Sequence, residues 1–338
     1  MKHSLFTVAA FFLSCAHVFA VPQVPGPLQD ILLQKKADSS KVGYLAVYWK
    51  TADESVYFAL STNDDPLGFT ELNGGNHIVS PTLGTGAVRD LSIIAGDGIW
   101  YILGTDLNIG ETNWSAAVAN GSRAIVVWQS TDLVNWTDER LVTAEGPTAG
   151  CVWAPDAVWL PQYNEFFVHW ASPLYDEDDT SHTGTATPLL IRGGITTDFT
   201  TIEDPGTYID YSPSDTLDLS FLQINETAFV RIHAGGGIDG IIAEVGYGGI
   251  WGDWERPAGV IAADYEGPYP FWDNEVDGKA WLLSDLVGGG AGLRAWESAD
   301  PTSGVFDSTA SALTYMRHGS VLAVTQEQYD ALTSAFGA

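Results

Sequence analysis

Four carboxylates stand near the start of short apolar runs that resemble one another. They are Asp90 in VRDLSII, Asp156 in VWAPDAVW, Asp218 in TLDLSFL and Glu266 in EGPYPFW. Any one of them alone reads as a turn cap or a solvated surface group. Four at matching places in a recurring pattern read differently, because a repeat that closes on itself gathers matching places around one opening. Gathered carboxylates do acid–base work. One, kept protonated by a neighbouring anion, gives its proton to a leaving oxygen, while another activates water. Two carboxyls flanking one bond are what glycosidic cleavage needs, and about 6.5–9.5 Å between them leaves room for an attacking water. His318, in MRHGSVLAV, joins the set from a fifth run.

Runs rich in Val, Ile, Tyr, Phe and Trp alternate with Gly, Asp, Asn and Thr along most of the chain, which is strand-and-turn punctuation. Helical periodicity is confined to Gln326–Phe336. The repeat has four parts: an apolar strand with an acidic residue near its start, an aromatic-rich second strand, a third strand, and a Ser/Thr-x-Asp-x-x-aromatic turn before the fourth. Second strands are WYILGTD from Trp100, EFFVHWA from Glu165, AFVRIHA from Ala228 and AWLLSD from Ala280. The turn recurs as STDLVNW from Ser130, TTDFTTI from Thr196 and, loosely, ESADPTSGVF from Glu297. A spacing of roughly 50–65 residues suits a propeller blade.

GYLAVYWK, from Gly43, matches a second strand with no first strand before it, and the strand in MRHGSVLAV has no followers. The C-terminal strand therefore fills the inner place of the first blade. The expected fold is all-β: a five-bladed β-propeller closed by pairing of the N- and C-terminal strands, which leaves no long sheet edge. A β-sandwich would need no such unit order. Inner strands line the central channel, so the carboxylates and His318 are expected at one funnel mouth.

Composition narrows the partners. With 45% hydrophobic and 12% aromatic residues in 338, the chain is too apolar for disorder and ample for a large core. Lys+Arg number 14 against 43 Asp+Glu, a formal charge of −29. That sign opposes nucleic acid and anionic membranes as partners. The 36 Gly and 13 Trp suit tight turns and ring-binding surfaces.

Lys2 and His3, the apolar run Leu5–Leu13 and Val18-Phe19-Ala20 read as a secretory signal with cleavage before Val21, so an extracellular location is expected. Cleavage would remove Cys15 and leave Cys151 as a buried structural thiol with no disulfide partner. Four N-x-[ST] sequons, at Asn113, Asn120, Asn135 and Asn225, are glycosylation candidates in a eukaryotic host, Asn135 foremost because it lies in an expected turn. The expected organisation is a signal peptide over 1–20, an N-terminal segment over 21–42, the propeller over 43–325, and a short helix and tail over 326–338. Zinc spacing and EF-hand loops are absent from the sequence. His169 and His233, on second strands, read as ordinary half-buried residues.

Through Val88-Arg89-Asp90, Trp153-Ala154-Pro155-Asp156, Leu217-Asp218, Tyr265-Glu266-Gly267-Pro268 and Arg317-His318-Gly319, the chain from about Gly43 to Thr325 resembles glycoside hydrolase family 43. The Trp-Ala-Pro-Asp and Glu-Gly-Pro elements are specific together and weak singly. The resemblance implies a five-bladed propeller that cleaves arabinofuranosides and xylosides with inversion and requires no cofactor. It implies Asp90 as general base, Glu266 as general acid and Asp218 as the residue that tunes the acid's pKa. The family commonly has proline after the two aspartates, where this chain has Leu91 and Leu219, so strand geometry there is in question. His318 resembles a central histidine that faces a channel water or the water shell of a calcium ion, which leaves room for a structural calcium or sodium ion in the channel. Trp153 is a candidate sugar platform, Asp156 a candidate substrate contact, and Arg89 and Arg231 candidate partners for carboxylates and substrate. The expected activity is release of α-L-arabinofuranosyl units from plant or microbial polysaccharides or oligosaccharides, by a monomer. Alternatives are β-D-galactofuranosidase or β-xylosidase activity on the same scaffold, or a non-catalytic carbohydrate-binding propeller. A fructan hydrolase is disfavoured because Asn63-Asp64-Asp65-Pro66 falls in a later turn of its blade. A sialidase-like propeller is disfavoured because Ser130-Thr131-Asp132-Leu133-Val134-Asn135-Trp136 lacks the glycine of a Ser-x-Asp-x-Gly-x-Thr-Trp box.

Overall fold

The computed structural model describes residues 36–337, apart from 289 and 291. The expected signal peptide, Cys15 and most of the 21–42 segment lie outside the described residues.

Five four-stranded antiparallel sheets form a five-bladed propeller. The first blade holds β1 (Lys41–Lys50), β2 (Asp53–Thr62) and β3 (Asp65–Glu71). The second runs β4 (Val88–Gly96), β5 (Ile99–Asp106), β6 (Ala124–Ser130) and β7 (Thr137–Thr143), with a helix α1 (Trp114–Asn120) between its second and third strands. The third is β8 (Trp153–Leu160), β9 (Glu165–Ser172), β10 (Leu190–Thr196) and β11 (Glu203–Ile209). The fourth is β12 (Thr216–Gln223), β13 (Phe229–Gly235), β14 (Ile241–Gly246) and β15 (Trp254–Glu255). The fifth is β16 (Tyr265–Trp272), β17 (Ala280–Leu286), β18 (Leu293–Ser298) and β19 (Asp307–Leu313). β20 (Ser320–Thr325) then returns to β1 as the innermost strand of the first blade, in a register running from Lys41↔Thr325 to Val47↔Ser320. The inner strands β4, β8, β12, β16 and β20 contact one another in sequence around the ring.

A blade is buried on both faces, which explains its near-continuous apolar runs. In β1, Leu45, Val47 and Trp49 pack against Ile93, Ile102 and Trp128 of the second blade. The alternate residues Tyr44, Ala46 and Tyr48 pack against Phe271, Trp281 and Leu283 of the fifth. One strand thus cements two interfaces. A fully buried Leu or Val there contributes roughly 1.5–3 kcal/mol. The Ser/Thr-x-Asp turns share one hydrogen-bond scheme: Ser130 Oγ accepts from the Leu133 N–H and Thr196 Oγ1 from the Phe199 N–H, both at 2.9 Å.

The closing helix α2 (Gln326–Phe336) starts at Thr325 with a capping box to Gln328 and lays Tyr329, Leu332 and Phe336 on the first-blade core. Two local expectations are corrected. His318 is not on the inner strand: β20 begins at Ser320, and His318 sits in the segment entering it. α1 was not expected, since WSAAVAN buries only Ala117 and carries no apolar stripe.

Candidate active site

Four of the five inner strands, β4, β8, β12 and β16, break register with their neighbours at one place each. The breaks fall between Arg89 and Ser92, Trp153 and Asp156, Leu217 and Ser220, and Glu266 and Tyr269. In each, the first extra residue has a left-handed backbone: Asp90 at φ 50°, Ala154 at 47°, Asp218 at 55° and Gly267 at 59°. Aspartate tolerates that conformation better than most residues, and a bulge re-aims the side chain it carries. The expected equivalence of four carboxylates is therefore corrected. Asp90 and Asp218 occupy the same bulge position. Glu266 stands one residue before it, and Asp156 two residues after it, while Ala154 holds that position in the third blade.

Leu91 and Leu219, where the family commonly has proline, are the second residues of their bulges. Leu91 is buried, and its N–H donates to the His318 carbonyl at 3.3 Å, a bond that proline could not make. Leu219 is buried in the core between the third and fourth blades. At Gly267 the left-handed backbone coincides with close packing, since a Cβ there would sit 2.6 Å from the His318 ring.

Asp90, Asp218, Glu266 and His318 line one pocket of about 490 Å³, with Arg89 and Trp153 on its wall. The side chains are coupled through short contacts. His318 Nδ1 lies 3.4 Å from Asp90 Oδ1. Asp218 Oδ2 accepts from the Gly267 N–H at 2.8 Å, which ties it to the bulge beside Glu266. Burial, then the charges of Asp218 and Asp90, push the Glu266 carboxyl up to about 7. Burial would raise Asp90 as well, but the hydrogen bond and charge of His318, with Arg89 and Thr105, outweigh it and hold Asp90 below the usual carboxylate range. Burial acts to lower His318, yet Asp90, Asp218 and Asp285 bring it up to about 9. Asp218 is raised, by burial first and then by Asp90 against the opposing pull of His318. The pocket thus holds one carboxyl protonated near neutrality beside one that stays ionised.

Asp156 does not line this pocket. It is buried, bonded to the Ala157 N–H at 2.8 Å and to Ser220 Oγ at 3.2 Å, and burial pushes it up to about 7. Arg231 does not line this pocket either. It is buried beneath Trp254, with its guanidinium 2.7 Å from Glu244, whose charge it neutralises. Arg89 does reach the pocket, but its ion-pair partner is Glu54, at 3.1 Å. His169 and His233 are fully buried rather than half-buried. Cys151 is a buried free thiol that burial pushes up in pKa. Asn113, Asn120 and Asn135 are exposed. Asn225 is half-buried, its side-chain oxygen accepting from the Thr227 and Ala228 N–H groups.

Several lining residues escaped the sequence reading. Asp285 on β17 sits across from Glu266 in the ladder and accepts from Arg317 Nε at 2.6 Å. Arg317 adjoins His318 in a motif already singled out, which is the signal that would have found it. Trp49, Thr51 and Trp114 also line the pocket and carried no motif. As for a channel ion, among the described residues no group of three or more His, Cys, Asp or Glu is disposed to hold a metal. His318, raised to about 9, is protonated near neutrality and has no lone pair to offer a metal directly.

Residues 40–330 match the glycosyl hydrolase 43-related family, described as a probable glycosyl hydrolase domain. An α-L-arabinofuranosidase of Bifidobacterium longum subsp. longum is 29% identical over 205 residues, which is 56% of this chain and 19% of that protein. The chain thus spans about a fifth of the length of that curated relative. Among solved structures, an exo-β-1,3-galactanase from Clostridium thermocellum is similar at a TM-score of 0.49 and 12% identity, over 72% of this chain and 53% of that one. The catalytic domain of a Coprinopsis cinerea family 62 α-L-arabinofuranosidase is similar at 0.47 and 10% identity, over 71% and 74%.

Proposed function

We infer the reaction from one premise: the chain belongs to the glycosyl hydrolase 43-related family, so it is a hydrolase of glycosidic bonds and its substrate is a carbohydrate. Within that class we assign it inverting release of α-L-arabinofuranosyl units from polysaccharides or oligosaccharides. The observation that carries the reading is the opposed tuning of Glu266 and Asp90 in one pocket.

Glu266, protonated near neutrality, gives its proton to the glycosidic oxygen as the bond from that oxygen to the anomeric carbon breaks. Asp90, ionised, takes a proton from the water that attacks the anomeric carbon from the opposite face. One water is consumed, and each product leaves with a hydroxyl. Asp218 acts by charge, keeping Glu266 protonated, and by its bond to the Gly267 N–H. His318, 3.4 Å from Asp90 Oδ1, favours the ionised form that the base needs. The relative from Bifidobacterium longum supports the arabinofuranosyl preference, and the leader-like N-terminus supports action outside the cell.

The test is hydrolysis of nitrophenyl α-L-arabinofuranoside, β-D-galactofuranoside and β-D-xyloside, with the product anomer read by proton NMR. We expect the arabinofuranoside to be cleaved fastest, with inversion. Preference for another glycoside would overturn the sugar assignment. Retention of configuration would overturn the roles of Asp90 and Glu266.

A further inference from the structure

Three indoles line the pocket, and they are not alike. Trp49 is buried, with the Arg89 guanidinium 4.1 Å and that of Arg317 4.8 Å from its ring, so its faces are taken. Trp153 is half-buried on the wall. Trp114 is 56% exposed, yet it lines the same cavity and stands edge-on to Trp153 at 6.0 Å.

The helix that carries Trp114 has little core of its own, Ala117 being its one buried residue. It is nevertheless pinned at both ends. The Asn113 side chain accepts from the Ala116 N–H at 3.0 Å, and the Gly121 N–H donates to the Gly150 carbonyl at 2.7 Å. From the third blade, His182 reaches the Ala119 carbonyl at 2.6 Å and the Pro147 carbonyl at 2.9 Å, and stacks on Tyr175 at 4.2 Å. A firmly held helix that leaves its largest apolar side chain in water, at a pocket rim, is built to present that side chain to something.

We propose that Trp114 is the platform for the sugar on the leaving-group side of the scissile bond, and so a determinant of preference for chains over small glycosides. This rests on the hydrolase reading above. A cavity of about 490 Å³ is at the small end for ligand pockets. Asp218 is buried and Asp90 and Glu266 are half-buried, whereas Trp114 is exposed, so a sugar held at the carboxylates sends the remainder of the substrate out past the indole. An exposed indole there offers a flat apolar face to a sugar ring, and the Arg89 guanidinium 5.2 Å from that indole helps to fix it in place.

The test compares Trp114→Ala and Trp114→Phe with the parent on two substrates: an arabino-oligosaccharide and methyl α-L-arabinofuranoside. Loss of the platform is expected to raise KM for the oligosaccharide about tenfold or more, with kcat changed less, and to lower kcat/KM at least five-fold more for the oligosaccharide than for the methyl glycoside. Phenylalanine is expected to restore part of the loss. Equal losses on both substrates, or none on the oligosaccharide, would overturn the proposal. If the parent cleaves neither substrate, the function reading fails by itself. Calorimetric binding of a panel of xylo-, galacto- and arabino-oligosaccharides to a Glu266→Gln protein then still tests Trp114. The platform predicts that Trp114→Ala weakens binding of whichever oligosaccharide binds, and unchanged affinity, or no binding by any of them, overturns it.

Discussion

Asp218→Asn removes a charge from the pocket while keeping the shape, and the asparagine oxygen can still accept the Gly267 N–H. Glu266 rises from 4.5 to about 7, burial contributing most and Asp218 next. That rise is roughly 3 kcal/mol of preference for the protonated acid. Burial survives the substitution, so only the share of Asp218 is lost. Ranked second to burial, that share is at most about half of the rise; we take it as about 1.4 kcal/mol, or about one pH unit. Lowering the pKa of an acid empties its protonated form at lower pH, so the alkaline limb of kcat/KM should move from near pH 7 to near pH 6. The variant should then lose about five-fold at pH 7 and almost nothing at pH 5. The assay is kcat/KM for an arabino-oligosaccharide across both limbs. A uniform loss with an unmoved limb would refute an action through charge, and a limb that moved upward would refute the sign.

Two further substitutions probe the frame around the site. Gly267→Ala should cost about 1 kcal/mol or more from its positive φ and push its Cβ into the His318 ring, lowering both Tm and kcat; a variant matching the parent in both would contradict the bulge geometry. Glu244→Gln should destabilise by about 3–5 kcal/mol in urea unfolding at neutral pH, because Arg231 is left buried without its counter-charge; a loss below about 1 kcal/mol would contradict this. Burial would raise Glu244, but His233, Arg231 and Tyr211 hold it well below the carboxylate range. Its contribution is thus present above the unfolded carboxylate pKa of about 4.3 and fades as pH falls below it, so the gap between parent and variant should narrow on acidification.

The blade order was legible because both faces of each blade are buried. Val, Ile and aromatic runs then mark strands directly, and GYLAVYWK without an inner strand demanded the C-terminal one. Asp90, Asp218 and Glu266 were legible through motif. The finer geometry was not, because a bulge adds a single residue to a strand and leaves no mark in a hydrophobic pattern. Asp156, two residues beyond the bulge, consequently looked equivalent to its neighbours. Arg231 looked available because its partner Glu244 lies on the adjacent strand, thirteen residues on, where only ladder register brings the two together. Asp285 was hidden in the same way, by pairing across the sheet with Glu266. α1 was missed because seven residues with one buried alanine show no periodicity.

In the proposed mechanism Glu266 delivers the proton and Asp90 activates the water. Glu266→Gln removes the proton source and keeps the size, so its effect must depend on how much help the leaving group needs. The decisive measurement is kcat/KM of this variant on an arabino-oligosaccharide and on a nitrophenyl α-L-arabinofuranoside, with Asp90→Asn alongside. The account predicts a loss of about 10²–10⁴ on the oligosaccharide, a loss at least about tenfold smaller on the nitrophenyl glycoside, and near-complete loss on both for Asp90→Asn. Equal losses on the two substrates for Glu266→Gln would contradict it.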